Sequence, residues 1–204
     1  NGEVVSQPGL YPRVSINYDS ARALCQANGA GHDLMTVWDW AAIALWCMAN
    51  GYQPSGNTNF GSHHDKRFET GIVPDGATLG SDATGVTNTQ CGSGPATWRH
   101  DNTPAGIADL VGNVWEWTSD QFQPDLYEQR VRASGPGVVI VNPKGPARAA
   151  DPRNPYSRDS YVQKGGSFLC HADYCSSYRP SARMATPPDS GMNHLGFRCV
   201  TTPA

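Results

Sequence analysis

Two thiols separated by four residues, Cys170-His171-Ala172-Asp173-Tyr174-Cys175, form the pattern in this chain best suited to chemistry. The spacing is C-x4-C, which is neither the C-x2-C of a zinc knuckle nor that of a thioredoxin-like site. No second cysteine pair stands where it would complete a four-cysteine zinc site. Two thiols on one bent loop either close a disulfide or, as thiolates, clamp a soft ion such as Cu(I). Spacing alone leaves both open. His63-His64-Asp65 offers a second group of metal-type side chains. Neighbours in sequence rarely face one ion together, so no site is expected there.

Whatever this loop does, a loop-rich domain must hold it. The chain has 204 residues with 22 Gly and 16 Pro, and only 16% of its residues are charged. That balance argues against a coiled coil, a helical bundle or charge-driven disorder. Six Trp and eight Tyr can still fill a core. A formal net charge of -3 without a basic stripe argues against nucleic acid as partner. No apolar stretch approaches the roughly 18–20 residues of a membrane span, so no membrane insertion is expected. Asn1 to Pro8 shows neither a charged n-region nor an apolar h-region, so no signal peptide is visible and localisation stays open. Six cysteines are too sparse for a disulfide-built miniature.

The apolar periodicity predicts a helix over 20–27, capped by Asp19, with Ala21, Leu24 and Cys25 on one face. A second helix is predicted over 36–49, capped by Thr36. Its run from Trp38 to Cys47 is apolar almost all round and should lie at the centre of the domain. Residues 51–104, rich in Gly, Asn, Thr, Ser and Asp, should be long ordered loops. Residues 107–118 alternate like a strand around a tight Gly112-Asn113 turn, and 138–141, 161–169 and 195–200 read as further strands. The expectation is one α+β domain over 1–204, with few helices, short twisted strands and long loops.

Residues 161–200 contain Lys-Gly-Gly-Ser-Phe-Leu-Cys, then Tyr-Cys-Ser-Ser-Tyr-Arg, then Pro-Asp-Ser and Gly-Phe-Arg-Cys. With Gly112-Asn113-Val114-Trp115-Glu116-Trp117-Thr118-Ser119-Asp120, and an Asn142-Pro143-Lys144-Gly145-Pro146 loop, this resembles the formylglycine-generating enzyme (sulfatase-modifying factor) family. The resemblance implies a C-type-lectin-like fold of the formylglycine-generating enzyme type. It also implies a copper-dependent, O2-using oxidase that converts a peptide cysteine to formylglycine. Cys170 and Cys175 would hold Cu(I), Ser167 and Tyr174 would line the oxygen and substrate pocket, and His194 and Trp115 would contact substrate. Arg179 and Arg183 would brace the loop through buried ion pairs. Calcium is implied at Asp109, Gly112, Val114 and Glu116, with a decayed second site near Asn59, Asp75 and Asp82. A disulfide is implied between Cys25 and Cys199, whereas Cys47 and Cys91 have no matching positions. The partner would be a cysteine-containing peptide or unfolded sulfatase segment.

The first half leans elsewhere. His32-Asp33-Leu34-Met35-Thr36 with the apolar helix, Gly56-Asn57-Thr58-Asn59-Phe60-Gly61 and Gly92-Ser93-Gly94-Pro95-Ala96-Thr97-Trp98 resemble variable proteins of diversity-generating retroelements. These share the fold. That resemblance implies a non-catalytic module binding a cell-surface ligand, with its variable surface at about 166–197.

Overall fold

The computed structural model describes residues 4–81, 87–123, 126–141, 160–171 and 176–202. Helix α1 is Tyr18–Ala27, and its N-cap is Asn17 rather than Asp19. The Asn17 side chain accepts the Ser20 N–H at 2.9 Å, which leaves Asp19 in the first turn, where its charge suits the helix dipole. Strand β1 (His32–Leu34) leads into α2 (Val37–Ala49). Here Thr36 is the cap that the sequence predicts. Its hydroxyl accepts from Asp39 N–H while the Asp39 carboxylate accepts from Thr36 N–H, a reciprocal box. The remaining elements are β2 (Trp115–Gln121), α3 (Leu126–Ser134), β3 (Tyr161–Lys164), β4 (Met184–Thr186), β5 (Leu195–Phe197) and β6 (Cys199–Thr201).

Four strands form a mixed sheet in the order β4-β3-β2-β5, in which only β2 and β5 run parallel. β1 and β6 pair antiparallel beside it, with Leu34 opposite Cys199. Asp120 on β2 accepts the Val37 N–H at 2.8 Å, tying the start of α2 to the sheet. The main core gathers Ile16, Tyr18, Ala21 and Cys25 with Leu34, Trp115, Trp117, Cys170 and Leu195. Cys25 on α1 and Cys199 on β6 are joined as a disulfide with their Cα atoms 5.3 Å apart. Cys47 and Cys91 are not disulfide-bonded, and the Cys47 thiol donates to the His100 carbonyl at 2.9 Å.

Three expectations are corrected. Apolar character all round α2 reads as central burial, yet only Trp40 and Cys47 are buried, while Trp38, Leu45, Trp46 and Met48 are exposed. One face of the helix packs on the sheet; on the other the Trp46 ring meets the His100 ring at 5.2 Å, and no further element of the described residues covers it. The strand expected from 107 begins only at Trp115, because Asp109, Gly112 and Asn113 all adopt positive φ. The segment 138–141 forms no strand and is exposed. In addition, β3 stops at Lys164, where Gly165 and Gly166 turn the chain, and residues 195–200 divide into β5 and β6 at Arg198.

Candidate active site

The loop that carries Cys170 leaves β3 through Gly165 and Gly166. Gly166 has φ +77°, and a Cβ there would lie 2.9 Å from the Tyr178 nitrogen, so only glycine lets the outgoing and returning arms meet. Backbone bonds pin the loop from two sides: Phe168 N–H donates to the Asn113 carbonyl, and Phe60 N–H to the Phe168 carbonyl, each at 2.9 Å. The Gly112-Asn113 turn is fixed in its own right. A Cβ on Gly112 would come within 2.3 Å of the Asn57 carbonyl oxygen, and the Asn113 side chain exchanges two hydrogen bonds with the Thr89 backbone.

Cys170 is consequently 2% exposed, within the same apolar cluster as Trp115. The Ser167 hydroxyl, fully buried, lies 3.8 Å from its sulfur and also accepts from Leu169 N–H. The Trp115 ring is buried in the core, and its backbone N–H donates to the His194 carbonyl at 2.8 Å and so places that residue. The His194 ring stands edge-on to Phe168 at 6.4 Å. Its Nδ1 pairs with Asn193 Oδ1, which leaves Nε2 as the acceptor nitrogen, and burial holds its pKa below the usual imidazole value. Ser167, Cys170, Trp115 and His194 are thus gathered around one loop. Tyr174 and Cys175, like Asp82 and the 142–146 loop, lie outside the described residues.

Neither of the two arginines expected as buried braces is buried among the described residues. Arg179 is exposed, and the Arg183 guanidinium lies over the Phe122 ring at 5.7 Å. Lys164 clamps the returning arm instead, donating from Nζ to the carbonyls of Pro180 and Ala182 while sitting 4.3 Å over the Trp40 ring. Burial, and then the nearby Arg183 charge, push its pKa down to about 8. Between that value and the free-lysine value of about 10.4, the unfolded chain holds a proton that the folded one has shed, so stability rises with pH. Melting temperatures of the wild type and Lys164→Met at pH 7 and pH 10 check this. The gap is expected to move in favour of the wild type at the higher pH, and an unchanged gap contradicts it.

At the calcium-type residues, Asp109 is buried, with Oδ2 accepting Gly92 N–H at 2.7 Å and Oδ1 without a hydrogen-bond partner. Burial raises its pKa. Glu116 gives both carboxylate oxygens to Arg198, at 2.6–3.2 Å, and Arg198 also donates to the Ala108 carbonyl at 3.0 Å. A guanidinium therefore already supplies positive charge at this turn. Arg198 was legible only as part of the Gly-Phe-Arg motif, with no role attached.

His63, His64 and Asp65 do come together, with one ligand atom of each lying within 4.8 Å of the others. Nitrogens of both rings have other work. His63 Nδ1 accepts the N–H groups of Asp65 and Lys66, His64 Nδ1 meets the Thr58 hydroxyl at 2.7 Å, and His64 Nε2 meets Asp65 at 3.1 Å. The His63 proton must then sit on Nε2, where it blocks coordination. The cluster serves as a clasp for its loop, with the His64 ring 4.6 Å from that of Tyr178.

Residues 1–203 match the family described as Sulfatase-modifying factor enzyme 1-like domain, and the chain belongs to that family. It is 31% identical to the formylglycine-generating enzyme of Thermomonospora curvata over 99% of this chain and 59% of that protein. It is also 27% identical to the inactive C-alpha-formylglycine-generating enzyme 2 of Bos taurus, over 94% of the chain and 50% of that protein. The chain therefore spans between half and three-fifths of the length of these relatives. Among solved structures, CarF superposes with a TM-score of 0.52 at 14% identity, covering 96% of this chain and 69% of that one. Treponema denticola variable protein 1 superposes with a TM-score of 0.48 at 17% identity, covering 98% and 75%.

Proposed function

We propose that this chain is a copper-dependent oxidase converting a peptide cysteine to formylglycine, with Cys170 and Cys175 as the copper ligands. The observation that carries the reading is the Cys170 thiol, buried on a loop pinned from both sides, in a chain of this family. A buried thiol in an apolar setting suits a soft, low-coordinate ion. When bound, copper supplies the dioxygen chemistry that side chains lack. The chain's own groups prepare the site. The Ser167 hydroxyl is a hydrogen-bond partner for sulfur, the apolar cluster excludes water, and His194 Nε2, neutral near pH 7, can take the proton a substrate thiol sheds. The partner in this reading is a cysteine-containing peptide or an unfolded sulfatase segment.

The test is aldehyde formation on a cysteine peptide, read by mass spectrometry after capture with a hydroxylamine probe. Reduced, copper-loaded protein in air with a thiol reductant is expected to yield the aldehyde, and Cys170→Ala to lose at least 100-fold of the rate. A second reading, a non-catalytic chain, is favoured by the relative that bears the name inactive. Copper loading without aldehyde from any cysteine peptide would support it.

Calcium belongs to the first reading as a structural ion at the Gly112-Asn113 turn. Asp109 Oδ1 is its open donor, and Arg198 is its competitor for Glu116. Millimolar Ca2+ raising the melting temperature, with Asp109→Ala abolishing the rise, supports the ion. No change means that Arg198 alone neutralises the turn.

A further inference from the structure

We propose that the outward face of α2 is a self-association surface, on which a second copy of this chain docks its own α2 in antiparallel orientation. The inward face is spent on Trp40 and Cys47. Outward, Trp38 is 50% exposed, Leu45 64%, Trp46 46% and Met48 59%, with Ala42 and Ala49 exposed between them. Trp38, Ala42, Leu45 and Ala49 recur at i, i+4, i+7 and i+11 and so form one stripe along the helix.

Side-chain size alternates along that stripe, large and small, which makes its antiparallel image its own complement. About a two-fold axis between Ile43 and Ala44, Trp38 falls opposite the second copy's Ala49. Leu45 falls opposite the second copy's Ala42. Along the stripe the large side chains thus meet small ones, the condition for interdigitated packing at a two-fold interface. The two helix dipoles then oppose each other favourably.

Charge points to the same occupant. Within α2 the only charged residue is Asp39, whose carboxylate is held by Thr36, so no like charges are set against each other across the axis. The helix has no Lys or Arg, the residues an interfacial helix uses to bind anionic lipid. Area sets the strength. At roughly 200 Å² for an aromatic side chain, the exposed parts of this face sum to roughly 500 Å² per copy. Two copies would bury roughly 1,000 Å² in all, the lower bound for a specific contact. The association is therefore reversible and concentration-dependent.

Light scattering after size exclusion, on protein with the Cys25–Cys199 disulfide intact and at loadings from roughly 1 to 200 μM, tests this in the range such an area implies. The wild type is expected to move from the chain mass toward twice that mass. Leu45→Glu, an exposed substitution that should leave circular dichroism and melting temperature unchanged, is expected to remain at the chain mass throughout. The geometry has its own readout: Trp38→Cys mixed with Ala49→Cys should cross-link on oxidation, whereas Trp38→Cys alone should not. A monomeric wild type across the range, a dimer that Leu45→Glu does not disturb, or cross-linking within Trp38→Cys alone would overturn the proposal. Binding of the monomer to vesicles with no self-association would do the same.

Discussion

Replacing Glu116 by alanine is expected to lower the stability of the fold by about 3–5 kcal/mol, measured by urea unfolding. Arg198 reaches Glu116 from the break between β5 and β6, and its Nη2 sits 2.6 Å from Oε1. Burial alone would lower the guanidinium's pKa, yet Glu116 and then Asp109 hold it above its ordinary value. Removing the carboxylate leaves a half-buried cation with backbone carbonyls and Asp109 as its remaining company. Removing both charges together is expected to cost far less, because desolvation of the pair offsets most of its Coulombic gain. The double substitution Glu116→Leu with Arg198→Met is that control. If Glu116→Ala cost under about 1 kcal/mol, Arg198 would have to escape to solvent, and the pair would not be what holds β5 and β6 to β2.

The second large effect is expected at the disulfide. Cys25 and Cys199 lie 174 positions apart, so their bond ties α1 to the last strand and closes nearly the whole chain. Serine at both positions, or reduction with the other thiols protected, should cost about 2–5 kcal/mol, as judged from the shift in urea midpoint. The consequence reaches the loop, because Cys25 packs in the same buried cluster as Trp115 and Cys170. Hydrogen exchange should therefore rise first in α1 and β6 and then at 167–170. Unchanged exchange at 167–170 would mean that the Asn113 and Phe60 backbone bonds hold the loop without help from the core.

Local signals were the ones legible in the sequence. Thr36 and Asp39 cap α2 through atoms three residues apart, and that box can be read from sequence. The Gly112-Asn113 turn was visible as a turn, but its meaning was not. Alternation on both sides suggested one hairpin-like strand, whereas the Asn113 side chain bonds Thr89, 24 residues away, and its carbonyl receives the thiol loop. Long-range partners of that kind leave no periodic trace. α2 failed for a different reason: hydrophobicity shows how much surface could be buried, and the number of neighbouring elements decides how much is. Lys164 stands in a motif that gives it no role, because its acceptors are the carbonyls of Pro180 and Ala182, which any residues could supply. The thiol pair itself was found by spacing, and its setting by resemblance. The structure adds the burial of Cys170 and the Ser167 hydroxyl beside it.

An anaerobic Cu(I) titration of the protein with its free thiols reduced and its Cys25–Cys199 disulfide intact, run beside Cys170→Ser and Cys175→Ser, tests the central claim most directly. One tight equivalent is predicted for the wild type and is lost in either variant while each keeps its native circular dichroism. Folded, reduced wild type without a tight equivalent, or with one that survives Cys170→Ser, would contradict the copper reading.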